Sequence, residues 1–283
     1  MANYIDFHLH SNASDGSDTI PELLETVKES KLHTFSVTDH DTMEGTLEME
    51  KLVPNDIHFI RGIEFSCITP HQKCHILGYN FDPVNAEFSN ALNLGIKLRQ
   101  EKLYRRLEFF KEEFNFELTK EEADWLFSIK SPGKPHFGSL FVNRGMAPDI
   151  RTAIEKYVKK CPDGNDRIEA SIAIHAILSS GGIPVWAHPL GGEGEKRLSR
   201  DEFLVQLETL LSYGIRGMEC YYSRYEQNDI DFLIEQAQKH SLLISGGSDY
   251  HGKNKPNLHL GKLNAEDVDI DKDSLTLYNY LSK

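Results

Sequence analysis

Cysteine and long hydrophobic runs are both scarce in this sequence. The four cysteines are Cys67, Cys74, Cys161 and Cys220, and none forms a C-x-x-C pair. No stretch approaches the roughly 18 apolar residues that a membrane helix needs, and the N-terminal residues lack the basic segment and apolar run of a secretory signal. We therefore expect a cytoplasmic protein with reduced thiols and no membrane partner.

The chain also lacks an excess of positive charge. Its formal net charge is −13 at pH 7. Binding of duplex nucleic acid through a general basic surface needs many lysines and arginines that neutralise phosphates, so this mode is excluded. A small anionic substrate remains compatible with the composition if cations gather locally in a pocket. Bound divalent metals would supply such charge.

The first part of the chain alternates short apolar segments with amphipathic ones. The pattern predicts strands over 4–9, 34–38, 58–65 and 75–79, with helices over 19–30 and 42–52 between the first three. This rhythm favours an α/β architecture with parallel strands. The 283 residues fit one α/β barrel that carries an insertion.

The rhythm is interrupted by a helical region and then resumes. Helical segments are predicted over 86–114, 119–129, 136–144 and 150–158, and further strands over 183–187, 217–221 and 242–245. We therefore predict a barrel formed by 1–84 and 166–283 and a small inserted helical domain, a lid or substrate domain, over 85–165. Five basic residues between Lys97 and Arg106 are interpreted as a solvated helix face, with a substrate-facing arginine as the alternative.

Histidines and carboxylates recur where the predicted strands end. Because active sites of α/β barrels lie on the face where strands end, these side chains are expected to converge. Mixed nitrogen and oxygen ligands suit Zn, Mn or Fe. Alternate residues of a strand point to the same face, which lets His8 and His10 reach one ion. The candidate ligands are His8, His10, Asp15, His40, Glu64, His75, His188, Asp249 and His251.

At this point the sequence resembles the polymerase and histidinol phosphatase (PHP) family. The resemblance covers roughly 1–82 and 170–260 and implies a distorted seven-stranded barrel with a trinuclear metal centre. The motifs that carry it are His8-Leu9-His10, Ser36-Val37-Thr38-Asp39-His40-Asp41, Gly62-Ile63-Glu64, Ala187-His188-Pro189 and Gly247-Ser248-Asp249-Tyr250-His251.

The resemblance implies a distribution of ligands over three divalent ions. The first ion would be held by His8, His10, Glu64 and Asp249. Glu64 would bridge to a second ion held with His75 and His188, and the third would be held by Asp15, His40 and His251. A hydroxide bridging the metals would attack phosphorus. Asp39 is expected to orient the neighbouring ligands.

The helical insertion is similar to that of one PHP subgroup, which includes nucleoside 3′,5′-bisphosphate phosphatases and RNase AM-type exonucleases. Members commonly carry Arg-Pro-His there, and this chain has Lys134-Pro135-His136. Lysine keeps the positive charge but loses the bidentate fork. Lys134 and His136 are expected to contact substrate, as is Arg224, which follows a predicted strand. His136 and Arg224, together with Asp39, are also the candidate catalytic residues.

The expected function is therefore hydrolysis of a phosphate ester of a small metabolite, a nucleotide or short oligonucleotide in particular. Histidinol-phosphate phosphatase is an alternative, although the insertion argues against it. An amidohydrolase acting on a C–N bond and a non-catalytic metal-binding or regulatory module are further alternatives. Glu219 is expected to face away from the cavity or to pack structurally. Trp125 is expected to lie in the core rather than to stack on a base.

Overall fold

The computed structural model describes residues 4–193, 195–263 and 268–282. The strands are β1 Ile5–Leu9, β2 Thr34–Val37, β3 His58–Ile68, β4 Lys73–Tyr79, β5 Ile168–Glu169, β6 Ile183–Trp186, β7 Gly217–Tyr222, β8 Leu243–Gly247, β9 Lys262–Leu263 and β10 Val268–Asp269. The helices are α1 Ile20–Glu29, α2 Glu44–Leu52, α3 Ala86–Phe114, α4 Lys120–Ser128, α5 Lys134–Asn143, α6 Ile150–Lys156, α7 Ala170–Ser179, α8 Arg200–Tyr213, α9 Gln227–Lys239 and α10 Thr276–Leu281.

Seven of the described strands follow one another around the sheet in the order β1-β2-β3-β4-β6-β7-β8. The sheet is nearly closed, because β1 and β8 lie side by side, with the amide of Asp249 donating to the carbonyl of His8 and the amide of His10 to that of Tyr250, both at 2.9 Å. The predicted seven-stranded barrel is confirmed.

The expectation of parallel strands throughout is wrong for β4. This strand pairs antiparallel with β3 on one side and with β6 on the other, whereas the other neighbouring pairs around the barrel are parallel. The short connection between Ile68 and Lys73 leaves no room for a crossover helix, so it forms a hairpin. The reversal places the beginning of β4, and with it His75, at the same end of the barrel as the ends of its parallel neighbours.

Local sequence signals account for several helix boundaries. Capping boxes are present at the start of α1, where Thr19 and Glu22 cap each other, and at the start of α8, where Ser199 and Glu202 do so. Gly214 ends α8 in a left-handed conformation with φ 93°. The short strand β5 pairs with the end of β3 immediately before α7 begins.

The helical region between β4 and β5 has a hydrophobic cluster of its own. Its buried members lie between Leu103 and Val158 and are centred on Phe110, Phe137 and Phe141. The barrel is filled by two other clusters, which include residues from β1–β4 and β6–β8. The helical region from Leu103 onward therefore has apolar packing of its own, whereas Phe88, Ala91 and Leu92 of α3 pack in a cluster of the barrel. Within the described part of the chain, no helix combines the length and apolarity needed to cross a membrane.

Candidate metal centre and phosphate pocket

The first group of predicted ligands meets around His8 and His10 on β1. Their ring centroids are 5.2 Å apart. The Nε2 atoms lie 3.3 and 3.2 Å from Oε2 of Glu64, and 3.7 and 3.4 Å from Oδ1 of Asp249. Glu64 lies within the long strand β3, whereas Asp249 belongs to the loop after β8. All four residues are buried, and their ligand atoms converge on one point.

A second group surrounds Asp15, which lies in the loop after β1. Its Oδ1 atom is 3.2 Å from Nε2 of His251 and 3.9 Å from Nε2 of His40. His251 donates a hydrogen bond from Nδ1 to the carbonyl of Asp249 at 2.8 Å, so its Nε2 lone pair faces the group. Together with His10, these residues could hold one ion.

A third group contains His75 from β4 and His188 from the loop after β6. Nδ1 of His75 and Nε2 of His188 are 3.1 Å apart, and both lie 3.2 Å from Oε1 of Glu64. Glu64 therefore reaches all three histidine groups through its two carboxylate oxygens. Glu195, which the sequence reasoning missed, lies 3.3 Å from Nδ1 of His188 and could ligate there. It stands in a loop with no motif or strand pattern that would have identified it.

The donor atoms of these groups fit divalent ions. Nε2 of His8 and of His10, Nδ1 of His40 and Oδ1 of Asp15 are buried and have no hydrogen-bond partner in the described structure. Leaving a buried polar atom without a partner costs about 1–3 kcal/mol, so four such atoms in one place call for a ligand. Lone pairs of imidazole and carboxylate suit Zn, Mn and Fe.

Glu219 has a positioning role that the sequence did not reveal. It is fully buried on β7, its Oε1 accepts from Nδ1 of His8 at 2.9 Å, and its Oε2 accepts from the amide of His188 at 2.7 Å. Of the two alternatives expected for Glu219, structural packing agrees with its full burial, whereas an orientation away from the candidate ligands is wrong. By accepting at Nδ1, the carboxylate leaves Nε2 of His8 free for the metal.

Asp39 fixes the loop that follows β1. Its carboxylate accepts from the amide of Ser11 at 2.8 Å, from the hydroxyl of Ser11 at 2.6 Å and from the hydroxyl of Ser14 at 2.6 Å. Ser14 Oγ is in turn 3.4 Å from Nδ1 of His10. Ser14 thus lies between Asp39 and the candidate ligand His10. Asp39 contacts none of the predicted ligand side chains directly.

The loops at the end of the barrel hold strained backbone conformations. Asp249 and His188 have φ values of 56° and 28°, which side chains other than glycine rarely adopt. Asp249 is held by the hydroxyl of Tyr222 at 2.9 Å and by Nζ of Lys255 at 2.6 Å, both on Oδ2. The other oxygen, Oδ1, is the one that faces His8 and His10.

The three histidine groups open into a pocket of about 680 Å³. Ten lysine and arginine residues line the same pocket, and five of them are here called the cationic wall: Arg99, Lys102, Arg106, Lys134 and Arg167. The first three come from α3 and are mostly buried, with Arg106 only 8 % exposed. The interpretation of this cluster as a solvated helix face is wrong for these three residues, although Lys97 on the same helix is exposed.

The cationic wall has few compensating anions. Arg99 binds Asp41 and the hydroxyl of Ser66, and Lys102 approaches Asp166 at 3.4 Å. Nε and Nη1 of Arg167 are buried without a hydrogen-bond partner in the described structure. Burial and the neighbouring arginines lower the pKa of Lys102 to about 6, and burial followed by Arg106 lowers that of Lys134 to about 8. An anion bound here would relieve this repulsion.

The three predicted substrate contacts lie in different surroundings. Lys134 and Arg224 line the pocket, and Arg224 forms an ion pair of 2.7 Å with Glu193 at its edge. His136 lines a neighbouring groove instead, with its Nδ1 accepting from the amide of Gly133 at 3.0 Å. Gly133 packs so closely on Asp15 that a Cβ there would lie 2.5 Å from that side chain. The insertion therefore rests directly on the metal-ligand loop.

Comparison with known families identifies the family to which the fold belongs. The PHP domain model matches residues 6–171, more than half of the chain. The chain belongs to the PHP family. A structure assigned as a metal-dependent phosphoesterase from Bifidobacterium adolescentis superimposes with a TM-score of 0.82 at 26% identity, covering 100% of this chain and 96% of that one. A Chromobacterium violaceum structure described as an amidohydrolase, 24% identical with a TM-score of 0.80 and covering 93% and 92% of the two chains, has the same fold.

Three characterised relatives of this PHP protein align over most of their lengths. A 3′,5′-nucleoside bisphosphate phosphatase of Chromobacterium violaceum is 27% identical, covering 89% of this chain and 88% of the relative. The 5′-3′ exoribonuclease Rnm of Escherichia coli is 27% identical with 87% and 84% covered. A phosphoribosyl 1,2-cyclic phosphate 1,2-diphosphodiesterase of Eggerthella lenta is 26% identical with 88% and 94% covered. The chain is a metal-dependent phosphoester hydrolase.

Proposed function

We propose that the protein hydrolyses a phosphate ester of a nucleotide that carries a second phosphate, as in a nucleoside 3′,5′-bisphosphate or a short 5′-phosphorylated oligonucleotide. The observation that carries this proposal is the cationic wall, which shares one pocket with the histidine and carboxylate groups. A single reacting phosphate would be neutralised by metals. Five further cations are more than it needs, and they suit a phosphate that is bound but not cleaved.

The residues that would hold the metals are the nine predicted ligands, with Glu195 as an addition at the His75 and His188 group. We propose three divalent ions, drawn from Mn, Fe and Zn. When bound, such ions activate water as a nucleophile and stabilise the charge that develops on the phosphate oxygens. The four buried donor atoms without partners support this assignment.

The side chains around the metals would act by holding the reactants in place. Glu219 would keep His8 in the tautomer that exposes Nε2. Lys134 and Arg224 would bind oxygens of the phosphates, and Lys134 would carry a proton on Nζ while doing so. His136 accepts at Nδ1 and therefore carries its proton on Nε2, from which it would donate to the substrate.

The inserted helices would exclude water from the reaction. The beginning of α5 packs on Asp15, and Arg99 of α3 is bound to Asp41, the neighbour of His40. These contacts cover the pocket from the side opposite the barrel. Excluding water strengthens each interaction between charged groups inside the pocket.

A substrate panel on the metal-loaded protein tests the proposal. The panel contains adenosine 3′,5′-bisphosphate, adenosine monophosphates, a short 5′-phosphorylated RNA, histidinol phosphate and bis(p-nitrophenyl) phosphate. We expect the highest kcat/KM on a substrate with two phosphates. An equal kcat/KM on the monophosphates would contradict the role of the cationic wall. No phosphate release from any member, with bound metal confirmed by elemental analysis, would contradict the function as a whole.

A further inference from the structure

A second cavity lies between the insertion and the rim of the barrel. This side groove has a volume of about 550 Å³, within the range of small-molecule sites. One wall consists of the ends of α4 and the beginning of α5, including Trp125, His136 and Ser139. The other wall consists of the loop after β1 and the first turns of α2, including Asn12 and Glu48.

The side groove adjoins the central pocket. Pro135, Ile150 and Asn254 line both cavities. Asn254 also donates to the carbonyl of Asp15, which ties this shared border to a predicted metal ligand. These three residues therefore form a shared border between the groove and the pocket that contains the three histidine groups, here called the metal groups.

Trp125 is partly exposed, and packing in a hydrophobic core does not account for its position. Its side chain is 41 % exposed, and it belongs to none of the hydrophobic clusters of the described structure, although its neighbour Leu126 is buried in the insertion's cluster. Its ring lies 5.8 Å from that of His136, at an angle of 55°. A large aromatic surface left open beside a cavity is typical of a binding site. The expectation that Trp125 lies in the core is wrong.

The charges of the side groove select for an uncharged group. Glu44 and Glu48 lie on the barrel side and would repel a phosphate, and Lys130 is already paired with Glu44 at 3.2 Å. The other polar side chains are those of His136 and of the uncharged residues Asn12, Ser17, Ser128, Ser139 and Asn254. Such groups match the hydrogen-bonding edge of a nucleobase, and the carboxylates can accept from an exocyclic amino group.

We propose that the side groove binds the nucleobase of the substrate, with the base stacked on Trp125. This inference rests on the proposed function, since it requires a nucleotide at the metal groups. It assigns the phosphates to the central pocket and the base to the groove, with the ribose crossing the border formed by Pro135, Ile150 and Asn254. Stacking on an aromatic side chain tolerates any base, so the site would favour nucleotides over other phosphate esters without strong preference among bases.

The first test compares two substrates in two matched variants. The substrates are adenosine 3′,5′-bisphosphate and the corresponding ribose bisphosphate that lacks the base. Stacking of one base on one aromatic ring predicts that Trp125→Ala raises KM for the nucleotide by about 10- to 100-fold and leaves kcat within about twofold. KM for the abasic substrate should not change. Trp125→Phe should recover most of the affinity.

The control variant is Phe127→Ala. Phe127 lies two residues further along α4, is 48 % exposed and faces Tyr104 rather than the groove, with ring centroids 5.7 Å apart. It should leave KM for both substrates unchanged. An equal rise of KM for both substrates in Trp125→Ala, or no rise for either, would contradict the base site.

A second readout does not depend on turnover. The chain has two tryptophans, and the other one, Trp186, is buried at 2 % exposure. Adenosine monophosphate added to the metal-loaded protein should quench the fluorescence of Trp125, and the quench should vanish in Trp125→Phe. If neither substrate releases phosphate, the proposed function fails, and the quench alone then decides the base site. A quench that persists in Trp125→Phe, or none in the unaltered protein, would overturn it.

Discussion

The metal groups and the cationic wall line the same pocket. They differ in the part of the chain that supplies them, in their charge and in how readily the sequence predicts them. The metal groups combine imidazoles with carboxylates supplied by the ends of barrel strands and the loops beside them. The cationic wall consists of lysines and arginines, most of them on α3 and α5 of the insertion. The barrel would thus supply the reaction chemistry, and the insertion would supply recognition of the substrate. This division agrees with the general rule that function resides in sites grafted on a fold.

The largest effect is expected from Glu64, because its carboxylate lies within 3.3 Å of five histidines in the three groups. Glu64→Gln removes the negative charge while keeping the volume. We expect kcat to fall by about 10²–10³-fold or more, together with loss of bound metal. Elemental analysis and steady-state kinetics measure the two effects.

The matched control for Glu64 is Glu101→Gln on the exposed face of α3, where the carboxylate pairs only with Lys97 at 3.7 Å. This variant should retain full activity and metal content. Full activity in Glu64→Gln would remove Glu64 from the metal centre and would weaken the contrast between barrel chemistry and insertion recognition.

The next effect concerns the cationic wall. Arg106 is buried at 8 % exposure and its guanidinium lies over the ring of Phe137 at 5.1 Å. Arg106→Met should keep the apolar packing and remove the charge. Loss of a charged hydrogen bond predicts a rise in KM for a nucleoside bisphosphate of about 10- to 100-fold. KM for the nucleoside monophosphate should change much less.

Lys97→Met is the control for Arg106, because Lys97 lies on the same helix but is exposed to solvent. It should leave both KM values unchanged. If Arg106→Met raised KM equally for the monophosphate and the bisphosphate, the cationic wall would not be a site for a second phosphate.

These contrasts explain which parts of the molecule were predictable from the sequence. His8 and His10 alternate on a strand, and most other predicted ligands stand at strand ends, so periodicity and motif order exposed them. Arg106 lies on a long charged helix, where a pocket-facing arginine and a solvated one have the same sequence environment. Its orientation depends on how α3 packs on the barrel, through Gly95 against Asp41 and Arg99 bound to Asp41.

Two further residues were hidden for different physical reasons. Glu219 is a lone carboxylate in an apolar strand, and only the closure of the barrel brings it to His8 and His188. Glu195 lies in an irregular loop, where no periodicity predicts direction. The antiparallel course of β4 could not be predicted from the alternation of apolar residues, which is the same in both directions, but the short connection between β3 and β4 does indicate it.

Glu219 tests whether a barrel carboxylate that contacts Nδ1 of His8 positions this candidate ligand for the metal. In Glu219→Gln the amide group must place an NH₂ against either Nδ1–H of His8 or the amide of His188, which are both donors. We expect metal affinity to fall by about 10-fold, with a smaller effect on kcat at saturating metal. Metal titration followed by activity measures this. Glu235→Gln, on the exposed side of α9, is the control, and equal metal affinity in the two variants would argue against the positioning role.

The smallest effect expected is a pH dependence that belongs to the cationic wall alone. The pKa of Lys102 is lowered to about 6, so the free enzyme holds it largely neutral above that pH. A phosphate binds the protonated lysine, and binding must therefore draw a proton from solution. The affinity for the second phosphate should fall as pH rises from 6 to 8, by at most about tenfold per unit for one coupled proton.

The ratio of KM for the bisphosphate to KM for the monophosphate isolates this change from titration at the metal centre. In Lys102→Arg the side chain stays charged throughout, since guanidinium does not lose its proton in this range, and the ratio should become flat. A ratio that rises equally in Lys102→Arg and the unaltered protein would assign the pH dependence to the metal groups, and the two regions would then be coupled rather than independent.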